Sequence, residues 1–342
     1  MKRFECRCGR MIFFDDAECV ACGAMLGFDP AACRMLAADA GAENWTEDGA
    51  RYKRCGNRQH GCNWLVAFEQ SDAFCISCGL NRTIPNLDNP DNIGRWRRME
   101  GAKRRLVYTL LDLGLPVRGR SRGQRNGLAF DFKEDQRTNP NVEEEHVTIG
   151  HTGGVITINV AEADDVFREQ ARSDLNERYR TLLGHFRHES GHYYFDLLVE
   201  KDDTEFRELF GDERSDYSAA LDRNYAAGAV PDWPYRFISA YASVHPLEDW
   251  AETWSHYLHI HDALETAVAS GVAEPDPDFG RRLDLWMELS VTLNEFNRSL
   301  GLGDYYPFVI SPVVRTKLEF VHRRLGLLTG GSPVEAKPQN HA

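Results

Sequence analysis

No stretch of the 342 residues approaches the roughly 18 consecutive apolar residues that a membrane-spanning helix requires. Met1-Lys2-Arg3-Phe4-Glu5 leads into Cys6 without an apolar core, so no secretory leader is expected and the chain is assigned to the reducing cytoplasm. The glycine-rich run from Arg118 to Gly127 lacks the Gly-Lys-Ser/Thr of a phosphate loop and reads as a mobile loop. No internal repeat is visible apart from two groups of cysteines. Cysteine is otherwise scarce: all nine fall within residues 6 to 78, eight of them in those groups, and Cys33, left over, reads as an ordinary buried thiol.

The eight form two sets of four: Cys6, Cys8, Cys19 and Cys22, then Cys55, Cys62, Cys75 and Cys78. Paired cysteines across a ribbon-length loop, with glycine following in Cys8-Gly9, Cys22-Gly23 and Cys78-Gly79, point to two structural zinc ions held by thiolates. Four thiolates close the coordination shell, so these ions would hold small folds together. The spacing Cys55-x6-Cys62 is wide and encloses His60, which could substitute for a cysteine. Disulfides are the alternative, disfavoured in a reducing compartment. The first ribbon is placed at residues 1–30 and the second at 50–90.

Charge is unevenly shared. Residues 1–125 carry a net +5 and residues 126–342 a net −18, which together make the −13 of the whole chain. The positive charge concentrates in Arg95 to Arg105 and Arg118 to Arg125, within a helical, basic connector at 91–126. Residues 92 to 113 read as an amphipathic helix with Trp96, Met99, Leu106, Leu110 and Leu113 on one side. A solvated face, or a salt-bridged seam against the acidic region, explains its arginines as well as nucleic acid would.

From Gly127 the pattern becomes strand-like: 127–132, 146–149 and 155–160 are short, β-rich and bounded by Gly, Asn or Pro, with a turn at His151-Thr152-Gly153-Gly154. If 155–160 were an edge strand, it could pair with an extended peptide. Helical periodicity then resumes through Leu175, Tyr179, Leu182, Leu183 and Phe186 and continues through Tyr193, Tyr194, Leu197 and Leu198. Ser173 or Asp174 is the expected N-cap, and Glu200 to Asp203 the exit.

That helix contains His188-Glu189-Ser190-Gly191-His192. Residues four apart on a helix share a face, so His188 and His192 can reach one ion while Glu189 lies beside an attacking water. Gly191 in mid-helix costs about 1 kcal/mol relative to alanine, which implies a segment passing close by. Further along, Glu248 and Glu252 repeat the four-residue spacing on a helix that Pro246 begins. One of them can complete the metal site while the other accepts the free ring N–H of a ligand histidine. His245 can cap that helix or bond the transition state. His185 and His256, His259 and His261 read mainly as surface or core residues, and the tail from 326 to 342 reads as disordered.

The sequence His-Glu-x-Gly-His followed by Tyr241-x6-Glu248-x3-Glu252 resembles the gluzincin pattern of lethal-factor-type toxin peptidases. That resemblance implies Glu248 as third zinc ligand, Glu252 in the layer behind it and Tyr241 as donor to the oxyanion. With the cysteine sets, Asn81 to Pro85, Arg95 to Arg98 and Asp212 to Tyr217, the chain up to about residue 325 resembles the bacterial zinc-binding metallopeptidases that carry an N-terminal zinc ribbon. It implies an α+β chain in which zinc-ribbon modules precede a mainly helical, zincin-like domain at 127–325 with a small β-sheet. The expected activity is hydrolysis of a peptide or amide bond in a peptide or protein substrate, with one catalytic and two structural Zn2+ and with the ribbons available to dock a protein. A non-catalytic zinc-stabilised scaffold, or a role on DNA-bound proteins like that of SprT-like proteases, is the alternative.

Overall fold

Each cysteine set is presented by tight turns that aim backbone N–H groups inward. In the computed structural model, which describes residues 2–120, 127–174 and 179–328, β1 (Phe4–Glu5) and β2 (Met11–Ile12) form a hairpin around Cys6 and Cys8. Gly9 takes φ 79°, a region costly for a residue with a Cβ, and donates to the Cys6 carbonyl at 2.8 Å. Strands β3 (Met25–Asp29) and β4 (Arg34–Ala38) pair antiparallel, as do β5 (Asn44–Glu47), β6 (Ala50–Arg54) and β7 (Leu65–Ala67) in sequence. Residues 31–49, expected between two ribbons, thus supply β4 and β5, and Leu36, Trp45 and Leu65 share one core. At Gly27 a Cβ would stand 2.5 Å from Leu65, so only glycine lets the two hairpins close. Cys33 is half-buried.

The ribbons do not stand apart from the helix that follows. Helix α1 (Pro90–Asp112) begins where Asn89 accepts from the Asp91 N–H, with Pro90 in the first turn. Its Tyr108 joins Phe4, Phe14, Phe28 and Trp64 in a buried aromatic cluster with centroids 4.8 to 6.2 Å apart. The arginines are internally paired: Arg95 and Arg98 with Asp164 (2.7 and 3.1 Å), Arg105 with Asp15 (2.5 Å). Lys103 is buried against Glu100 at 2.7 Å. The seam therefore forms within the N-terminal unit. Of the second basic run, residues 121–126 lie outside the described residues.

A four-stranded sheet closes this unit, in the order β10 (Gly150–Thr152), β11 (Val155–Asn159), β9 (Ala129–Lys133), β8 (Asn81–Thr83). Strand β8 leaves the second cysteine set directly and pairs parallel with β9. Strand β11 lies between β10 and β9, so the expectation of a free edge at 155–160 is overturned: both of its sides are already hydrogen-bonded.

The chain divides into two compact units, Met1–Phe186 and Arg187–Ala342. Helix α2 (Asp165–Asp174) contains Ser173, so neither Ser173 nor Asp174 starts the motif helix, and Leu175 lies outside the described residues. Helix α3 (Leu182–Leu198) starts instead at Thr181, whose hydroxyl accepts from the Gly184 N–H at 3.0 Å. In the second unit follow α4 (Thr204–Phe210), α5 (Tyr217–Ala227), α6 (Trp233–Arg236), α7 (Pro246–Ala269), α8 (Phe279–Ser299) and α9 (Pro312–Leu328). Helix α9 runs past the expected tail boundary at 326, and residues 329–342 lie outside the described residues. Trp250 of α7 is fully buried among Phe195, Phe206, Phe210 and Phe320. Burying a side chain of this size contributes roughly 1.5–3 kcal/mol. Among the described residues, no helix is long and apolar enough to cross a membrane.

Candidate metal centre

The turn spacing of α3 brings the His188 and His192 rings to 5.1 Å between centroids. Helix α7 supplies the opposing carboxylates from its first two turns. Its N-terminus is fixed by His245, whose Nδ1 accepts from the Leu247 N–H (3.1 Å) and whose Nε2 donates to the Ser215 carbonyl (3.0 Å). With both ring nitrogens engaged and 3% of its surface exposed, His245 caps the helix, one of the two roles expected of it. The two helices approach at Gly191, where Trp250 Nε1 donates to the Gly191 carbonyl (2.8 Å) and Trp254 Nε1 to Ser190 Oγ (3.0 Å).

Glu248 and Glu252 take different places. The nitrogens of His188 and His192 and a carboxylate oxygen of Glu248 all lie within 4.8 Å of one another. Glu248 Oε2 is 3.0 Å from His188 Nε2, and Oε1 is 3.6 Å from His192 Nε2. Glu252 sits behind the histidine: His188 Nδ1 donates to its Oε1 at 2.7 Å, and Ser239 Oγ donates to its Oε2 at 2.6 Å. A carboxylate only accepts, so His188 carries its proton on Nδ1 and, when neutral, turns the Nε2 lone pair toward Glu248. Two acceptors then face each other, with Glu248 Oε2 buried and lacking a hydrogen-bond partner among the described residues. That arrangement suits a cation. Nitrogen and oxygen ligands around a tetrahedral zinc stand about 3.3 Å apart, the scale of the contacts observed.

Protonation follows the same geometry. Burial opposes charge on His188, but hydrogen bonds and charges from Glu248 and Glu252 outweigh it and raise the imidazole well above its ordinary value. Burial likewise favours neutral Glu248, yet His188, His192 and Tyr217 hold it down at about 2. Glu189 is different. Burial, reinforced by Glu248 and Glu252 and opposed by His188, raises its carboxyl to about 7. Its Oε2 is buried with no hydrogen-bond partner among the described residues.

Tyr241 lies beside the histidine, with ring centroids 5.9 Å apart, and burial with nearby carboxylates raises its hydroxyl pKa. Two groups at the site were not assigned a role from sequence. Ser239 carries no local signal. Tyr217, within a stretch that contributed only to the family likeness, donates to Glu248 Oε1 at 2.7 Å.

The cysteine sets also converge, each with its sulfurs within 4.8 Å of one another. Contacts of 3.7 and 3.8 Å in the first set and 3.6 and 3.7 Å in the second are far beyond a disulfide bond. They match the edge of about 3.8 Å of a tetrahedron with zinc-to-sulfur bonds near 2.3 Å. Backbone N–H groups of Cys75 and Cys78 point at the sulfurs of Cys55 and Cys75. His60 packs on Trp96 at 4.7 Å between rings and is not part of the cluster. His185 turns to Glu162 at 3.2 Å, and His256 to the Tyr306 hydroxyl at 2.8 Å.

A family model described as "Putative zinc-binding metallo-peptidase" matches residues 92–324, and one described as a zinc-ribbon domain matches residues 3–89. Proteins of Mycobacterium bovis and Mycobacterium tuberculosis, each described as uncharacterized, are 42% identical over 337 residues, covering 94% of this chain and 94% of theirs. No solved structure matches the chain.

Proposed function

The chain belongs to this family of zinc-binding metallopeptidases with an N-terminal zinc ribbon, and on that premise we propose that it hydrolyses peptide or amide bonds in a peptide or protein substrate. His188, His192 and Glu248 hold the catalytic zinc, and the two cysteine sets each hold a structural one. The observation that carries this reading is the pairing of three converging ligand atoms with the neighbouring Glu189, whose Oε2 is buried with no hydrogen-bond partner among the described residues.

The ion, when bound, supplies a Lewis acid that polarises the scissile carbonyl and makes water acidic enough to deprotonate near neutrality. Glu189 takes the proton of the attacking water and returns it to the leaving amine. Its proton affinity, raised toward neutrality by burial, suits both transfers. Tyr241 donates its hydroxyl to the oxyanion that forms on the substrate. Glu252 keeps His188 in the tautomer whose lone pair points inward, and Ser239 keeps Glu252 in place.

The decisive comparison is wild type against Glu189→Gln, each with its metal content measured, on a peptide library and as a trap for bound proteins. Equal zinc with hydrolysis by the wild type alone is expected. Zinc loss in the variant or equal turnover in both defeats the role of Glu189, and equal zinc with no turnover by either favours a zinc-stabilised binding scaffold.

A further inference from the structure

The ligand carboxylate is held from a direction that neither motif supplies. Tyr217, the first residue of α5, donates to Glu248 Oε1 at 2.7 Å, an oxygen 3.6 Å from His192 Nε2, whereas Glu248 Oε2, with no such donor, faces His188 Nε2 more closely at 3.0 Å. The two oxygens of one carboxylate therefore have different environments. Tyr217 is fixed on both sides: Asp216 caps α5 by accepting from the Ala219 N–H at 3.0 Å, and the Ser215 carbonyl receives His245 Nε2, the cap of the helix that carries Glu248. The Tyr217 and His245 rings meet edge to face at 5.2 Å.

We propose that Tyr217 is a positioning residue that commits one oxygen of Glu248, so that this glutamate offers the metal a single oxygen. The proposal rests on the metal site of the proposed function. A carboxylate can hold a divalent ion through one oxygen or both, and a hydroxyl bonded to Oε1 competes directly with the second. One-oxygen binding leaves a position for substrate and water, which a catalytic site requires and a closed site lacks. The hydrogen bond also orients the ligand, the type of support whose loss lowers metal affinity about 10- to 100-fold.

The test uses the full chain with zinc in both cysteine sites and cobalt(II) titrated into the third, followed by visible absorption and by competition with a chelator. Wild type is expected to take one further cobalt with the intense bands of a four-coordinate ion. Tyr217→Phe is expected to bind it at least about 10-fold more weakly, with the fainter bands of a five-coordinate ion. Tyr241→Phe, whose hydroxyl does not bond Glu248, is expected to keep the wild-type affinity and bands. Replacement of Tyr217 by 4-aminophenylalanine restores a donor of similar length and is expected to restore the bands. It also serves as the probe if the phenylalanine variant does not fold: five-coordinate bands from it overturn the proposal. Wild-type affinity and bands in Tyr217→Phe overturn it equally, with the metal site intact. Failure of the wild type to take a third ion, or unchanged uptake by Glu248→Gln, instead overturns the reading beneath it.

Discussion

The Cα of Ala251 stands 2.9 Å from the point where a Cβ on Gly191 would lie. The glycine in the middle of the motif is thus the contact point between the helix of the histidines and the helix of the glutamates. Trp254 closes the same space at 3.0 Å.

Gly191→Ala is accordingly expected to destabilise the protein although alanine is the better helix former. The intrinsic gain of about 1 kcal/mol is set against a backbone collision, and overpacking of this kind typically costs 1–3 kcal/mol. Urea unfolding at neutral pH measures the balance, and a stabilised variant would show that the helices can separate freely.

Glu252→Gln keeps the shape of the side chain behind His188 but removes its charge. Zinc affinity at the His188, His192 and Glu248 site is expected to fall about 10- to 100-fold, with the two cysteine-bound ions retained. Metal analysis after dialysis against graded chelator distinguishes this from general unfolding. Loss of all three ions together would contradict the assigned role.

The place of the motif was legible because two four-residue spacings survive any change in the intervening chain. His188, His192, Glu248 and Glu252 needed only the helical period, and the resemblance then ordered the two glutamates as ligand and support. Tyr217 and Ser239 carry no such spacing: one opens α5 and the other lies between α6 and α7, and only the fold sets their distance from Glu248 and Glu252. His245 was readable in two ways because a histidine before a helical proline can cap the helix or reach the substrate. In the structure it meets the Leu247 N–H and the Ser215 carbonyl, the capping arrangement. The start of α3 was misread because the apolar rhythm runs through Tyr179, although that residue precedes the helix and Thr181 caps it.

The cysteine sites differ in access. Cys8 and Cys22 are exposed, whereas all four sulfur-bearing residues of the second set are buried. A chelator is expected to remove one equivalent of zinc quickly and another slowly. Cys22→Ser should abolish the fast thiolate phase; if it abolishes the slow one instead, the order is reversed.

Glu162 contributes to the acid limb of stability. Burial favours its neutral form, but His185 and Arg180, the latter at 2.5 Å, hold its folded value at about 2. A depressed carboxyl stabilises the fold above its unfolded value near 4.5, and that contribution disappears as pH falls from about 4.5 to 2. It amounts to about 3 kcal/mol at most. Glu162→Gln should therefore be less stable than wild type at pH 7 and approach it toward pH 2, as read from denaturant midpoints across that range. A gap independent of pH would mean that the lost contact is not electrostatic.

The short strand β8 follows the last cysteine by three residues and forms one border of the four-stranded sheet. Cutting the chain at residue 89, where the zinc-ribbon match ends, to obtain a smaller peptidase would remove that border along with the ribbon. It would also strip Arg82 from Asp131, which is buried in β9. The bared β9 would be open to pairing with other chains. In evolutionary terms the ribbon is no interchangeable adaptor: a lineage that discarded it would have to replace a strand as well as a metal.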